Sequence, residues 1–297
     1  MSGTHFPTDH TAKQTILDIG RRMYMKNFVA ANDGNISCKV APDIIWTTPT
    51  GVSKGFMTED MLVKMKLNGT VLSSGSRKPS SEVKMHIRIY LENPEVMGVT
   101  HAHPPLCTSF AIAGLSLDRA IYPEALVNLG VVPCVHYATP GSQDIPDSIA
   151  PYCRDYNALL LGNHGAVSWG KSLMEAFYRL EAMEHYAMVL MYTGNILGKA
   201  NVLSCEQVEE LLEIRSNMGI TGGGVPACAP RASNLKDVVA THTPLSPCSC
   251  ESPQPQLHTY RPNQPKAEEL SLQTVDVGEE DIQRITQAVL QRLREKN

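Results

Sequence analysis

Three histidines and one glutamate are the residues of this 297-residue chain whose types and spacing could do chemistry. His101-Ala102-His103-Pro104-Pro105 closes an apolar run, Val96 to Thr100, that reads as a short strand. Alternate side chains of a strand share a face, so His101 and His103 point the same way. Two neutral imidazoles so placed are half of a site for a divalent transition metal. The alternative is two histidines exposed at a strand end. A third, His164, sits in Gly162-Asn163-His164-Gly165, just after the continuous apolar run Ala158 to Leu161, which reads as a buried strand. Glu82 follows Lys78-Pro79-Ser80-Ser81 at the opening of a helix that must stop before Pro94. Ser80 and Ser81 suit helix N-caps, and the free N–H groups of a helix start also attract phosphate.

The remaining elements must hold these groups together. Periodicity at Ile16, Ile19 and Met23 predicts an amphipathic helix over 11–28. The cluster Asn32-Asp33-Gly34-Asn35 turns the chain into a strand at Ile36 to Val40, and a second strand, Ile44 to Thr48, runs into Pro49-Thr50-Gly51. Both loops offer N–H groups that can cradle a phosphate, although a tight turn explains either as well. Asn68-Gly69 reads as a hairpin turn. Leu106 to Ala113 reads as a short helix, Tyr122 to Ala125 as irregular, and 131–138 as further strand. Helix is predicted over Asp147 to Tyr156, and Val167 to Trp169 continues the sheet. Ser172 with Glu175 and Ser204 with Gln207 are capping boxes for helices reaching about Thr193 and Met218. Glu181 and His185, one turn apart, suit a core pair better than a metal site.

Composition sets the surroundings. The hydrophobic fraction of 42% supports a real core, and a net charge of −4 leaves no electrostatic footprint for nucleic acid. No apolar run approaches the ~20 residues of a membrane span. The polar start, Met1 to Lys13, reads as neither signal nor transit sequence. The eight cysteines show no disulfide-like spacing and mostly lie in apolar segments, so reduced thiols of a cytoplasmic protein are expected. Cys228, His242, Cys248 and Cys250 fit no standard zinc spacing. From Gly222-Gly223-Gly224 onward, prolines accumulate and large apolar residues thin out, which predicts a flexible linker over 221–277. Residues 278–297 regain helical order, with Ile282, Ile285, Val289 and Leu293 in one stripe. An isolated amphipathic helix on a tether needs a partner surface, unless it folds back on the domain.

The ordered set Gly34-Asn35, Thr50-Gly51, Ser80-Ser81-Glu82, His101-Ala102-His103 and Asn163-His164-Gly165 resembles the class II aldolase/adducin family, most nearly its fuculose-phosphate aldolase branch, over residues 10–220. The resemblance implies an α/β fold: residues 1–220 as a three-layer α/β/α catalytic domain around a mixed, mainly antiparallel sheet. It implies one Zn²⁺ per subunit on His101, His103 and His164. Glu82 is then the acid/base, taking the fourth metal position until substrate displaces it. Gly34, Asn35, Thr50, Gly51, Ser80 and Ser81 hold the substrate phosphate. Tyr122 handles the aldehyde oxygen across a boundary of a homotetramer. The implied reaction is reversible cleavage of fuculose or rhamnulose 1-phosphate to dihydroxyacetone phosphate and lactaldehyde. Pro140 and Met218 depart from that branch, which has aromatic residues there. Within the family, an epimerase, a dehydratase or an adducin-like scaffold are the alternatives; Glu82 and Tyr122 favour the aldolase. Residues 279–297 are similar to the encapsulation peptides that address enzymes to bacterial microcompartment shells, which implies confinement there with shell or cargo proteins as partners.

Overall fold

A computed structural model describes residues 5–75 and 77–228. One eight-stranded sheet organises them, in the order β4-β3-β2-β1-β5-β8-β7-β6. The strands are β1 (Asn35–Ala41), β2 (Ile44–Thr47), β3 (Val63–Lys66), β4 (Val71–Ser73), β5 (Gly98–Ala102), β6 (Cys134–Val135), β7 (Ala158–Leu161) and β8 (Gly165–Gly170). Every pairing is antiparallel except β6 on β7. The sheet is therefore mixed and mainly antiparallel, as the family resemblance implied.

Period-two alternation assigns the side chains of the central strands to opposite faces. On β7, Ala158 and Leu160 join one apolar cluster while Leu159 and Leu161 join another. The first cluster is covered by α1 (Asp9–Met25), α3 (Pro105–Ala113), α4 (Pro123–Asn128) and α6 (Leu173–Met191). The second is covered by α2 (Val83–Glu92) and α5 (Asp144–Ile149). Helices on both faces of one sheet make three layers. A last helix, α7 (Cys205–Asn217), packs Val208 against Leu126 of α4. No described helix is long and apolar enough to cross a membrane.

Several local expectations change on contact with the fold. Tyr122 to Ala125 is not irregular: Tyr122 is the N-cap of α4 and Pro123 takes its first turn, where a missing N–H costs nothing. The strand expected over 131–138 shrinks to Cys134–Val135. The helix expected over Asp147 to Tyr156 begins at Asp144 and ends in a 3₁₀ turn, Ala150–Tyr152. Ser204 and Gln207 form both arms of their box, whereas Ser172 accepts from Glu175 N but the Glu175 carboxylate turns to Lys171 N. The α6 helix stops at Met191 and a π-turn over Tyr192–Ile196 follows. Glu181 pairs with Lys26 at 3.1 Å and His185 is exposed, so they form neither a core pair nor a ligand pair.

Two expectations about the end of the domain are also corrected. Cys205 and Cys228 form a disulfide with Cα atoms 5.0 Å apart, while Cys38, Cys107, Cys134 and Cys153 are buried thiols. Residues 221–228 are held to the domain: Gly223 N donates to Asp155 O at 2.6 Å and Gly223 O accepts from Val131 N at 2.6 Å. Ala227 bridges Arg119. The folded chain thus runs beyond residue 220. The rest of the expected linker, His242, Cys248, Cys250 and the helix at 278–297 lie outside the described residues.

Candidate metal centre

Sheet register delivers the first two imidazoles. His101 pairs with Asn35 of β1 on one side and Val167 of β8 on the other. Two residues on, His103 leaves the strand, its N–H bonded to Phe28 O at 2.9 Å. Pro104 and Pro105 then start α3, whose first N–H groups are taken by the buried Glu184 carboxylate (Leu106 N at 3.0 Å, Cys107 N at 2.8 Å). Pinning α3 in this way fixes the exit of the histidine strand. The third imidazole comes from the β7–β8 turn, where Asn163 adopts a left-handed φ of 56° and His164 N bonds Leu161 O.

The three rings converge, with centroid separations of 5.1, 4.8 and 5.0 Å. One ring nitrogen of each lies within 4.8 Å of the others. His101 Nδ1 donates to Ala166 O at 2.9 Å, which leaves Nε2 as a lone pair. His101 Nε2 and His103 Nε2 are buried without a well-formed hydrogen bond, and buried Glu82 Oε1 has only the His164 imidazole, 3.1 Å away, beside it. Buried acceptors left unmatched are costly, and a shared cation satisfies them together. Three imidazoles with a carboxylate beside them suit a divalent ion of the Zn, Fe, Ni or Cu kind.

Glu82 occupies the middle of the group. Its carboxylate lies 3.1 Å from His164 Nε2 and 3.5 Å from His101 Nε2, and Asn35 Nδ2 donates to Oε2 at 2.9 Å. Burial lifts this carboxyl, but the adjoining His101 and His164 imidazoles outweigh burial and hold it well below the usual carboxylate range. Burial, then His101 and His164, push His103 down to about 4, so its ring is a neutral ligand near neutral pH.

Of the residues expected to hold phosphate, Asn35 and Ser80 reach Glu82 directly. Ser80 N bonds Thr48 O at 3.2 Å, Thr50 N bonds Lys78 O at 3.0 Å, and Asn35 Nδ2 reaches Ser80 Oγ at 3.2 Å. These bonds join the strand end at Asn35 and the segments 48–50 and 78–80 that carry the expected residues. Neither serine caps α2: Glu82 is the N-cap residue, and Ser80 Oγ accepts from Glu82 N instead. Tyr122 is elsewhere. Its ring faces His185 at 5.7 Å and Tyr186 at 6.5 Å, and among the described residues no bond or ring contact joins it to the histidines or Glu82.

Besides Glu184, sequence reasoning missed three supports. Asp33, read as a turn former, places Oδ2 3.3 Å from His103 Nδ1. Lys54 is fully buried, its ammonium donating to Asn32 O at 2.8 Å and Val52 O at 2.7 Å; burial pushes it down to about 8, against the pull of Asp33 and Glu82. His86, one turn after Glu82, is buried with Nδ1 on Ser37 Oγ at 2.7 Å. A polar residue inside an apolar pattern was the available signal for His86 and Glu184.

Residues 14–191 match the family model "Class II Aldolase and Adducin N-terminal domain". The chain is 31% identical over 180 residues to L-fuculose phosphate aldolase of Methanococcus maripaludis, covering 61% of this chain and 96% of that one. It is 30% identical over 191 residues to 3-oxo-tetronate 4-phosphate decarboxylase of Escherichia coli K12, covering 63% and 89%. Among solved structures, an L-fuculose 1-phosphate aldolase superposes with TM-score 0.65 at 27% identity, covering 72% of this chain and all of that one. YgbL of Klebsiella pneumoniae, assigned to aldolase, epimerase or decarboxylase chemistry, superposes with TM-score 0.64 at 31% identity, covering 69% and 99%.

Proposed function

Because the chain belongs to the class II aldolase and adducin family, as a metal-dependent lyase of aldolase type, we propose that it cleaves a 6-deoxyketohexose 1-phosphate, fuculose or rhamnulose 1-phosphate, to dihydroxyacetone phosphate and lactaldehyde. The observation that carries this reading is the Glu82 carboxylate set between His101 and His164 and steadied by Asn35. His101, His103 and His164 would hold the ion, Zn²⁺ in this reading. When bound, it supplies Lewis-acid stabilisation of charge on the substrate oxygens.

The chain's own residues do the rest. Gly34, Asn35, Thr50, Gly51, Ser80 and Ser81 hold the phosphate, the end that does not react, so its binding serves orientation. In the direction of addition, the Glu82 carboxylate takes the C3 proton of dihydroxyacetone phosphate, the C3–C4 bond forms as the aldehyde π pair moves onto oxygen, and the Tyr122 hydroxyl gives that oxygen its proton. Solvent carries the proton from Glu82 back to Tyr122, and cleavage runs through the same steps in reverse. Since Tyr122 stands apart from the histidines within one chain, this role assigns it to the site of a neighbouring copy in a homotetramer. Residues 279–297 serve as an address to a microcompartment shell; the amphipathic stripe supports that role, and deleting it should abolish association with shell particles while activity persists.

A second reading is favoured by the decarboxylase relatives at 29–30% identity. Loss of carbon dioxide from a 3-oxo acid leaves the same kind of carbanion beside a carbonyl, and the same groups would serve. Kinetics on a panel of ketose 1-phosphates and 3-oxo-tetronate 4-phosphates separate the two. Dihydroxyacetone phosphate from the former supports the aldolase; carbon dioxide from the latter alone overturns it.

A further inference from the structure

We infer that Asp33 is the outer-sphere orienter of the metal centre, holding His103 so that its Nε2 faces the ion. This deepens the metal reading above and rests on it. The three imidazoles are held by three different means. His101 Nδ1 is fixed by a backbone carbonyl, Ala166 O at 2.9 Å. His164 Nδ1 is buried without a partner among the described residues. His103 Nδ1 faces the Asp33 carboxylate at 3.3 Å. A carboxylate on the far nitrogen of a ligating imidazole selects the tautomer with its proton at Nδ1 and makes Nε2 a stronger donor.

The placement of Asp33 is built, not incidental. Lys54 donates to the carbonyl of the preceding residue, Asn32, and ties it to Val52. Asp33 N bonds Ala30 O at 2.9 Å. The next residue, Gly34, takes a φ of +72° directly against His101 O, so the turn bearing Asp33 is seated on the histidine strand. Asp33 is therefore a positioning residue, acting through His103 and not on the substrate.

The test is zinc affinity of the full chain, measured by competition with a chromophoric chelator at fixed pH, for the parent, Asp33→Asn and Asp33→Ala. Removing such a partner costs about 10–100-fold in metal affinity. Asp33→Ala should show that loss; Asp33→Asn, which can still accept the Nδ1 proton but lacks the charge, should fall between. Melting of the metal-free proteins should be unchanged, and two-dimensional NMR of the imidazoles should show the His103 tautomer shifting in Asp33→Ala alone. Equal zinc affinity in parent and Asp33→Ala overturns the inference and leaves the metal centre standing. A parent chain that takes up no zinc overturns the metal reading, and the inference with it.

Discussion

Gly34 and Gly51 share one backbone angle, φ +72°, in opposite surroundings, which makes them a matched test of how the metal strand is braced. A Cβ on Gly51 meets nothing within 4 Å, so Gly51→Ala carries only conformational strain. That strain is about 1–2 kcal/mol for a left-handed residue, less roughly 0.4–1 kcal/mol from stiffening the unfolded chain. A Cβ on Gly34 stands 2.7 Å from Val29 Cγ1 and 2.9 Å from His101 O. The second contact is backbone, and backbone of a candidate metal ligand, so it cannot swing away as a side-chain tip does. Overpacking of this kind adds about 1–3 kcal/mol. In a domain of this size each kcal/mol moves the midpoint by about 2–4 °C, so Gly51→Ala should melt roughly 0–6 °C below the parent and Gly34→Ala roughly 2–18 °C below. Circular dichroism on the metal-free proteins reads this, and zinc competition on the same samples should show weaker binding for Gly34→Ala only. Midpoints that fall together, with zinc affinity equal in both, would refute the claim that Gly34 braces the His101 strand.

Three further outcomes follow from the same contacts. Glu82→Gln should retain zinc while exchange of the C3 proton of dihydroxyacetone phosphate with solvent falls by about 10²–10⁴; exchange at the parental rate removes Glu82 from its role. Burial pushes His86 down from 6.5 to about 3, so between those values the unfolded chain binds the extra proton. Its stabilising contribution is complete above about pH 6.5 and drains away as pH falls toward 3, a loss of about 2 kcal/mol between pH 8 and pH 5. Urea unfolding of His86→Gln should lack that share of the pH dependence, and identical profiles would exclude it. The Cys205–Cys228 bond closes a loop of sequence separation 23, worth about 3 kcal/mol. Cys228→Ser should therefore melt roughly 6–12 °C lower and expose residues 221–228 to protease; a parent whose melting ignores reductant contradicts the bond.

What could be read from the chain divides along a physical line. His101, His103 and His164 were legible because each sits at the end of an apolar strand, where a period of two decides which side chains share a face. The layers came from the family resemblance; the continuous apolar run Ala158 to Leu161 showed only a buried strand, whose Ala158 and Leu160 face one layer and Leu159 and Leu161 the other. Local chemistry also sufficed for the Ser204–Gln207 box, since donor and acceptor are three residues apart. Groups defined by long-range contact left no such trace. Cys205 finds Cys228 only after α7 has turned back on the domain, and residues 221–228 look like linker because glycine and proline there serve close backbone approach, with Gly223 bonded to both Asp155 and Val131.

Asp33 shows why the boundary falls there. In sequence it is a turn residue beside Gly34, and a turn explains it fully. In space the same turn lies across the end of β5, and the side chain that shapes it also reaches His103 at 3.3 Å. A residue with a sufficient local reason hides its second role, because nothing in the local pattern is left unexplained. Buried residues that break a local pattern are the opposite case. Lys54 and His86 have no reason to be inside except their partners, and both lie within electrostatic reach of Glu82. One part of the polar interior, Asn35, Lys54, His86 and His101, therefore gathers around Glu82, where a cation shared by the three imidazoles and this carboxylate would satisfy the buried atoms that have no other partner.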